Sequence, residues 1–528
     1  MLKVLRLLPL LLILSDSMAA QEPGPRPETT TGLMSRTAGA FPGYTLFAPL
    51  RSTTTYLIDM EGEVVHQWPG TSTPGNAVQL LPNGNLIRAV KGPRNSTFRG
   101  GGEGGRLQEL AWDGTVLWDF TFSTNDYLHH HDFEVLPNGN VLLIAWEKKS
   151  REEAVAAGRN PRYLQGDELW TDFVVEIQPI RPKGGKVVWE WHAWDHLIQD
   201  FDPAKKHYGR ISAHPEKINL NGDRSGQGKG PGFSPGQVSE LAELGYIGDE
   251  EEEEEPPAPS PRSGPPGGMR GKMSADWMHS NSIAYNPKLD QIALSVRHFN
   301  ELWIIDHSTT TEEAASSRGG RYGRGGDLLY RWGNPQAYGA GGTKDQKLFR
   351  QHDVRWIPEG SPGAGNLLCF NNGDPDIGRN WSSVEEITPP LNADGSYRRE
   401  KNQAFGPAKA TWRWQAKSRK DFFSHFISGA QRLPNGNTLV CAGADSRLFE
   451  VSGSGEVVWD YRSPFGSERS RPNRKGGPPR GRMGGPGGRG PGGIFRALRY
   501  PVDYSGLSAL KADSKAEPEG QQPVDGLD

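Results

Sequence analysis

Leu81-Pro82-Asn83-Gly84-Asn85-Leu86 is echoed down the chain by Leu136-Pro137-Asn138-Gly139-Asn140-Val141 and by Leu433-Pro434-Asn435-Gly436-Asn437. Asn-Gly accepts the positive φ values that two-residue hairpins need, so each copy reads as strand, tight turn, strand. Looser copies are Ile357-Pro358-Glu359-Gly360 leading to Gly365-Asn366-Leu367-Leu368, and Tyr285-Asn286-Pro287-Lys288 before Ile292-Ala293-Leu294. A hairpin repeated at intervals of tens of residues implies a radial or stacked array of β units.

A second phrase alternates with the first: an apolar strand, a Gly turn, then Val-Val-Trp or a variant. Its copies end at Trp68, Trp118, Trp189, Trp332, Trp412 and Trp459. Six endings, most of them preceded by a hairpin of the first kind, predict six four-stranded sheets closed as a six-bladed β-propeller, an all-β fold that leaves only short edges. Tyr44-Thr45-Leu46-Phe47 supplies the early strand of the first sheet, and Ile494 to Tyr500 reads as a strand that helps close the ring. The tryptophans are expected to pack blade against blade. The eight-bladed quinoprotein propellers also repeat tryptophan, but the count of six and the Pro-Asn-Gly-Asn turns argue against them.

Composition fits turn-rich β structure with polar insertions: 34% of the 528 residues are hydrophobic, with 68 Gly and 42 Pro. The net charge of −3 suggests neither nucleic acid nor an anionic membrane as partner. Residues 1–20 read as an export signal: Lys3 and Arg6 precede an apolar run from Leu7 to Leu14, with small residues at Ser17-Met18-Ala19. That run is too short to span a bilayer, so a soluble periplasmic or secreted protein is expected after cleavage. Residues 40–505 are assigned to the propeller. Two disordered insertions are expected within it, at 222–272 (Gly/Pro/Ser with the acidic run Asp249 to Glu255) and at 463–493 (Arg/Gly/Pro), with a polar tail at 511–528. Cys369 and Cys441 take equivalent places in neighbouring blades and are expected as buried thiols.

Several of the 13 histidines stand just upstream of a first hairpin. His131 and His352 each precede the hairpin proline by six residues, His279 by eight and His425 by nine. The first strand of a blade is innermost, so these four are expected to meet at one mouth of the axial channel. A histidine ring suits zinc, copper or iron, yet the carboxylates and short spacings of a dedicated metal site are missing apart from His129-His130-His131-Asp132. The other use of imidazole is as nucleophile or acid/base, with Arg379 and Arg297 (beside His298) as clamps for a transferring sulfuryl or phosphoryl group.

Asp276-Trp277-Met278-His279-Ser280-Asn281-Ser282, Gln351-His352-Asp353 with Phe370-Asn371-Asn372-Gly373, and Ile427-Ser428-Gly429-Ala430-Gln431-Arg432-Leu433 together resemble the bacterial aryl-sulfate sulfotransferases. The resemblance covers about residues 40 to 505 outside the two insertions. It implies an exported enzyme that moves a sulfuryl group between small phenols by ping-pong chemistry through a sulfohistidine, independent of phosphoadenosine-phosphosulfate and with no cofactor or metal. By blade order it implies His279 and His352 as supports, Arg379 as the anion clamp and His425 as nucleophile, with His352 the second choice. His131, Asn281, Arg297 and His298 are expected around the substrate. The alternatives are a propeller hydrolase that sends the group to water and a binding propeller without catalysis.

Overall fold

The computed structural model describes residues 31–164, 166–224, 275–466 and 492–513. Six antiparallel sheets follow one another around a ring. Blade two runs from Pro74–Leu80 outward to Val116–Thr121, and blade three from Tyr127–Val135 to Gly185–His192. Blade four runs from Ser280–Asn286 to Tyr330–Trp332, blade five from His352–Trp356 to Trp412–Trp414, and blade six from Gly429–Arg432 to Val457–Arg462. Blade one joins the two ends of the chain: Ile494–Pro501 is its innermost strand and pairs with Gly43–Pro49. The innermost strands touch their neighbours in cyclic order, which closes the ring. One strand beyond the expected set, Gly32–Arg36, extends the outer edge of blade six.

The Pro-Asn-Gly-Asn phrase has a function beyond the turn. Its second Asn reaches a glutamate on the third strand: Asn85 to Glu109 (2.7 Å), Asn140 to Glu176 (2.5 Å) and Asn437 to Glu450 (2.6 Å), with Asn366 to Glu386 (2.6 Å) in the looser copy. Each of these carboxylates then takes a cation from the following blade, namely Arg181, His307, Arg499 and Arg432 respectively, at 2.5–3.0 Å. Inter-blade ion pairs thus line the hairpin end of the propeller.

The rim is fastened by indole N–H groups. In every blade an outer-strand tryptophan donates to a carbonyl in the segment just before the next blade's outer strand: Trp68 to Ala111 (3.2 Å), Trp118 to Gly184 (2.7 Å), Trp191 to Gly326 (2.7 Å), Trp332 to Pro407 (2.8 Å), Trp414 to Gly455 (3.0 Å) and Trp459 to Met60 (2.9 Å). In blades three and five the residue that does this is Trp191 or Trp414, two positions beyond the tryptophan expected from the sequence. Trp412 is instead partly exposed under the Arg432 guanidinium.

Cys369 and Cys441 are buried and unbridged. The 222–272 insertion lies outside the described residues except for Gly222–Arg224, and so does the 1–20 segment. The 463–493 insertion is described only at its ends, where Phe465 stacks on Tyr56 with ring centroids 4.0 Å apart. A short helix, Ser508–Asp513, runs past the expected start of the tail at 511, which otherwise lies outside the described residues. Among the described residues no helix is long and apolar enough to cross a membrane.

Candidate active site

The first residues of the innermost strands repeat as two layers. In the lower layer a side chain of one blade binds the backbone N–H of the next: Asp132 to Ile283 (3.0 Å), Ser282 to Val354 (2.7 Å) and Asp353 to Ala430 (3.0 Å). Arg496 of the closing strand completes this layer across the axis, paired bidentately with Asp132 (2.7 Å) and through Nε with Asp353 (2.7 Å). These groups are all buried, and together they floor the channel.

The residue preceding each lower-layer position forms the upper layer: Phe495, Asn76, His131, Asn281, His352 and Ser428 for blades one to six. In blades two to six this is the position six residues before the hairpin proline. His279 and His425 come from the segments leading into blades four and six, two and three residues earlier, as their longer spacings record. Backbone strain aims the layer. Asn76, His131, His279, Asp353, Ile427 and Ser428 all have φ between 46° and 93°, a region that costs a non-glycine residue roughly 1–2 kcal/mol. β-bulges break the ladder at the same places in blades two to five, and bulges re-aim side chains beside functional sites.

Four imidazoles meet above the floor. The rings of His131 and His279 lie edge to face with centroids 4.5 Å apart, and His298 stacks on His279 at 5.0 Å. His352 donates Nδ1–H to Asn372 Oδ1 (2.7 Å), while the Asn372 amide donates to the carbonyls of Ser424 and Ile427 (2.8 Å each), fixing the segment that carries His425. Asn372 therefore joins His352 to the His425 segment through one side chain. His279 Nδ1 faces Asp276 Oδ2 at 2.5 Å, and the same carboxyl accepts from the His279 N–H (3.0 Å) and the Trp146 indole (3.2 Å). Both arrangements occupy Nδ1, so Nε2 is the lone-pair nitrogen of His279 and His352. Nε2 of His352 and Oδ1 of Asn281 are buried and have no hydrogen-bond partner among the described residues.

Electrostatics tie the four rings to one cation. Burial, then the charge of Arg297, pushes His279 and His352 well below the usual imidazole range. Burial and neighbouring imidazoles do the same to His131, with Arg297 contributing. His425 is lowered to about 4 by burial, then by Arg297 and Arg350. At neutral pH these rings are uncharged and carry available lone pairs. Burial also pushes the Asp276 carboxyl up, a move that, like the lowering of His279, disfavours separated charge in a dry site.

Arg379 has its own set of partners. Its guanidinium bonds Asn371 Oδ1 (2.9 Å) and Ser383 Oγ (3.2 Å) and lies over Trp381 (3.8 Å) and Phe349 (4.6 Å). The charges acting on it are Glu385, Arg413, Arg419 and Asp374, with no histidine among them. Arg297 and Arg350 contribute to the field at the histidines, and the Arg350 guanidinium also pairs with Asp374 (3.0 Å) and Asp376. Arg350 adjoins the Gln351-His352-Asp353 motif in sequence, a signal that was available but unused. Gly102, at φ +91°, was also missed: a Cβ there would lie 2.0 Å from the His131 ring, so the blade-two loop passes over His131 only with glycine at this position. Among the described residues no group of three or more His, Cys, Asp or Glu side chains is placed to hold a metal ion.

A sequence profile of the arylsulfotransferase (ASST) family matches residues 44–458. The arylsulfate sulfotransferase AssT of Escherichia coli is 25% identical over 410 residues, covering 75% of this chain and 58% of that protein. The arylsulfate sulfotransferase AssT of Lelliottia amnigena is 24% identical over 408 residues with the same coverages. The chain thus spans 58% of the length of these curated relatives. A protein of unknown function from Bacteroides caccae shares 11% identity at a TM-score of 0.38, over 80% of this chain and 94% of that one. The chain belongs to the arylsulfotransferase family.

Proposed function

We propose that the histidine-lined mouth transfers a sulfuryl group from an aryl sulfate to a phenol through a sulfohistidine, without phosphoadenosine-phosphosulfate. The observation that carries this reading is the convergence of four uncharged imidazoles on the field of Arg297. Neutral imidazole is a nucleophile, and a fixed cation stabilises charge that grows on sulfuryl and leaving oxygens.

His425 is the nucleophile in this reading. Its lone pair attacks sulfur, the aryl S–O bond breaks, and the electron pair leaves on the phenolate. Sulfation makes the ring cationic, so the proton on its other nitrogen becomes acidic and passes to that phenolate. The second half runs in reverse: an acceptor phenol gives its proton to the site as its oxygen attacks sulfur and the N–S bond breaks. His279 and His352 offer Nε2 lone pairs that take this proton and return it to the His425 nitrogen deprotonated in the first half, so that His425 is released as a neutral ring, while Arg297 and Arg350 hold the sulfuryl oxygens.

The test uses purified full-length protein and 4-nitrophenyl sulfate. Nitrophenol release that requires an added phenol identifies a transferase, whereas release without acceptor identifies a hydrolase. No release from any aryl sulfate leaves a binding propeller. Mass spectrometry after a pulse of donor alone should find one sulfuryl group on His425. An adduct on His352 would move the nucleophile and keep the chemistry. We also infer export through residues 1–20, which N-terminal sequencing of protein from the periplasm or medium would check.

A further inference from the structure

The upper layer of the axis divides in two. Blades three to six bring the four histidines, three of them from the layer itself or its immediate approach and one from the His425 segment. Blades one and two contribute Phe495 and Asn76, and neither has a part in the transfer chemistry. Phe495 is 1% exposed, backed by Phe426, Ile427 and Ala444, and its ring centre lies 6.0 Å from that of His131. An apolar wall beside the reacting groups is where an aromatic ring belongs when its sulfate faces the histidines.

Asn76 is the polar exception on that wall. It is 6% exposed, its Nδ2 is buried without a hydrogen-bond partner among the described residues, and its backbone is held at φ +93° inside the blade-two bulge. A buried amide donor left unpaired costs about as much as a lost hydrogen bond, and a left-handed asparagine adds strain to that. Two costs at one position of the layer that carries His131 and His352 call for a ligand. Donor chemistry sets what the ligand offers: an N–H needs an acceptor atom.

We infer that Asn76 is a substrate-contacting residue that sets specificity, its amide nitrogen donating to an acceptor substituent on the aromatic ring of the donor sulfate. This rests on the aryl sulfate reading above and adds to it a preference among aryl sulfates: rings bearing a nitro, carbonyl or carboxylate group bind better than bare phenyl.

The experiment compares phenyl sulfate with the three nitrophenyl sulfate isomers. Binding is measured by calorimetry on full-length His425→Asn protein, where turnover does not intrude, with Asn76 intact or changed to Gly or Asp. Glycine accepts the positive φ and removes the amide; aspartate keeps the shape and replaces the donor with an acceptor. Expected is an isomer that binds better than phenyl sulfate, an advantage that Asn76→Gly cuts about tenfold, the scale of one buried hydrogen bond, while phenyl sulfate changes less than twofold. Asn76→Asp should penalise the nitro compounds still more. If both variants weaken all four ligands alike, or none, the inference falls. It falls too if no aryl sulfate binds. Binding that depends on Asn76 in a protein whose wild type transfers nothing would sink the proposed function and leave this contact standing.

Discussion

The two ends of this propeller use polar residues in opposite ways. At the hairpin end, carboxylates meet cations from the next blade, as in the fully buried Glu450–Arg499 pair at 2.6 Å. There histidine is charged: His307 sits between Asp290 (2.7 Å) and Glu176 (3.0 Å), and despite its burial those hydrogen bonds raise it to about 9. At the other end, histidines face one another and an arginine, and burial makes them neutral. One side-chain type thus serves as a cationic staple or as a lone-pair donor: two carboxylates hold the proton on His307, whereas burial and Arg297 keep it off the site histidines, His279 among them although Asp276 faces it. Stability and chemistry are separated along the axis.

The sharpest way to break this comparison is to remove a group from each end in turn. His425→Asn should lower sulfuryl transfer at least about 10³-fold, since removing a covalent nucleophile costs more than removing a helper, and should leave the melting temperature at pH 7 nearly unchanged. An active His425→Asn enzyme would end its assignment as nucleophile.

At the hairpin end the expected result is the reverse. Arg499→Met strands the buried Glu450 carboxylate and should cost about 3–5 kcal/mol of stability, the scale for breaking a buried pair from one side. The ΔG comes from denaturant melts, and the transfer rate of the surviving folded protein should stay within about twofold of wild type. A large rate loss in folded Arg499→Met would show that the two ends are not independent.

The arginines sharpen the comparison within the catalytic end. Arg297→Met should slow transfer about 10²–10³-fold, the usual cost of one preorganised donor to developing charge. Arg379→Met should cost much less in rate, because its guanidinium is held by Asn371, Ser383 and Trp381. Equal losses in kcat/KM would return Arg379 to the site.

Legibility in the sequence followed the same division. The hairpin end was readable because Pro-Asn-Gly-Asn is a local turn signal; its strict and looser copies with the six tryptophan endings gave six blades, and the apolar run from Ile494 to Tyr500 gave the closing strand. The partners of its second Asn were not readable, since the glutamates lie on a strand set by register. At the catalytic end the spacing to the hairpin proline located His131 and His352 in one layer, and it already held the offset of His279 and His425, whose counts of eight and nine place them in the approaching segments. The same count of six marks Asn76 and Asn281. Arg297 was legible as one of two candidate clamps, whereas Arg350 and Asn372 were harder, because their importance comes from folding across blades. The rim tryptophans failed by two residues in blades three and five, where a second tryptophan follows (Trp191, Trp414) and strand alternation turns both to the same face.

pH separates the two populations of histidine in a single titration. His425 has a folded pKa of about 4, depressed from the roughly 6.5 of an unfolded histidine. Its contribution to stability is therefore complete above pH ~6.5 and is lost as pH falls toward 4, where the unfolded chain binds the extra proton. His307, raised to about 9, has the opposite sign: its contribution is complete below pH ~6.5 and disappears as pH climbs through 9. Wild-type stability should decline on both sides of neutrality. His425→Asn should flatten the acid limb and leave the alkaline limb alone, whereas His307→Gln should flatten the alkaline limb and leave the acid one. The expected change in each limb is on the order of 2 kcal/mol, below the full linkage value because both groups retain some solvent contact. Denaturant melts between pH 4.5 and 9.5 read both limbs. If His307→Gln instead altered the acid limb, the staple histidine would be neutral, and the contrast between the two ends would fail at its charged side.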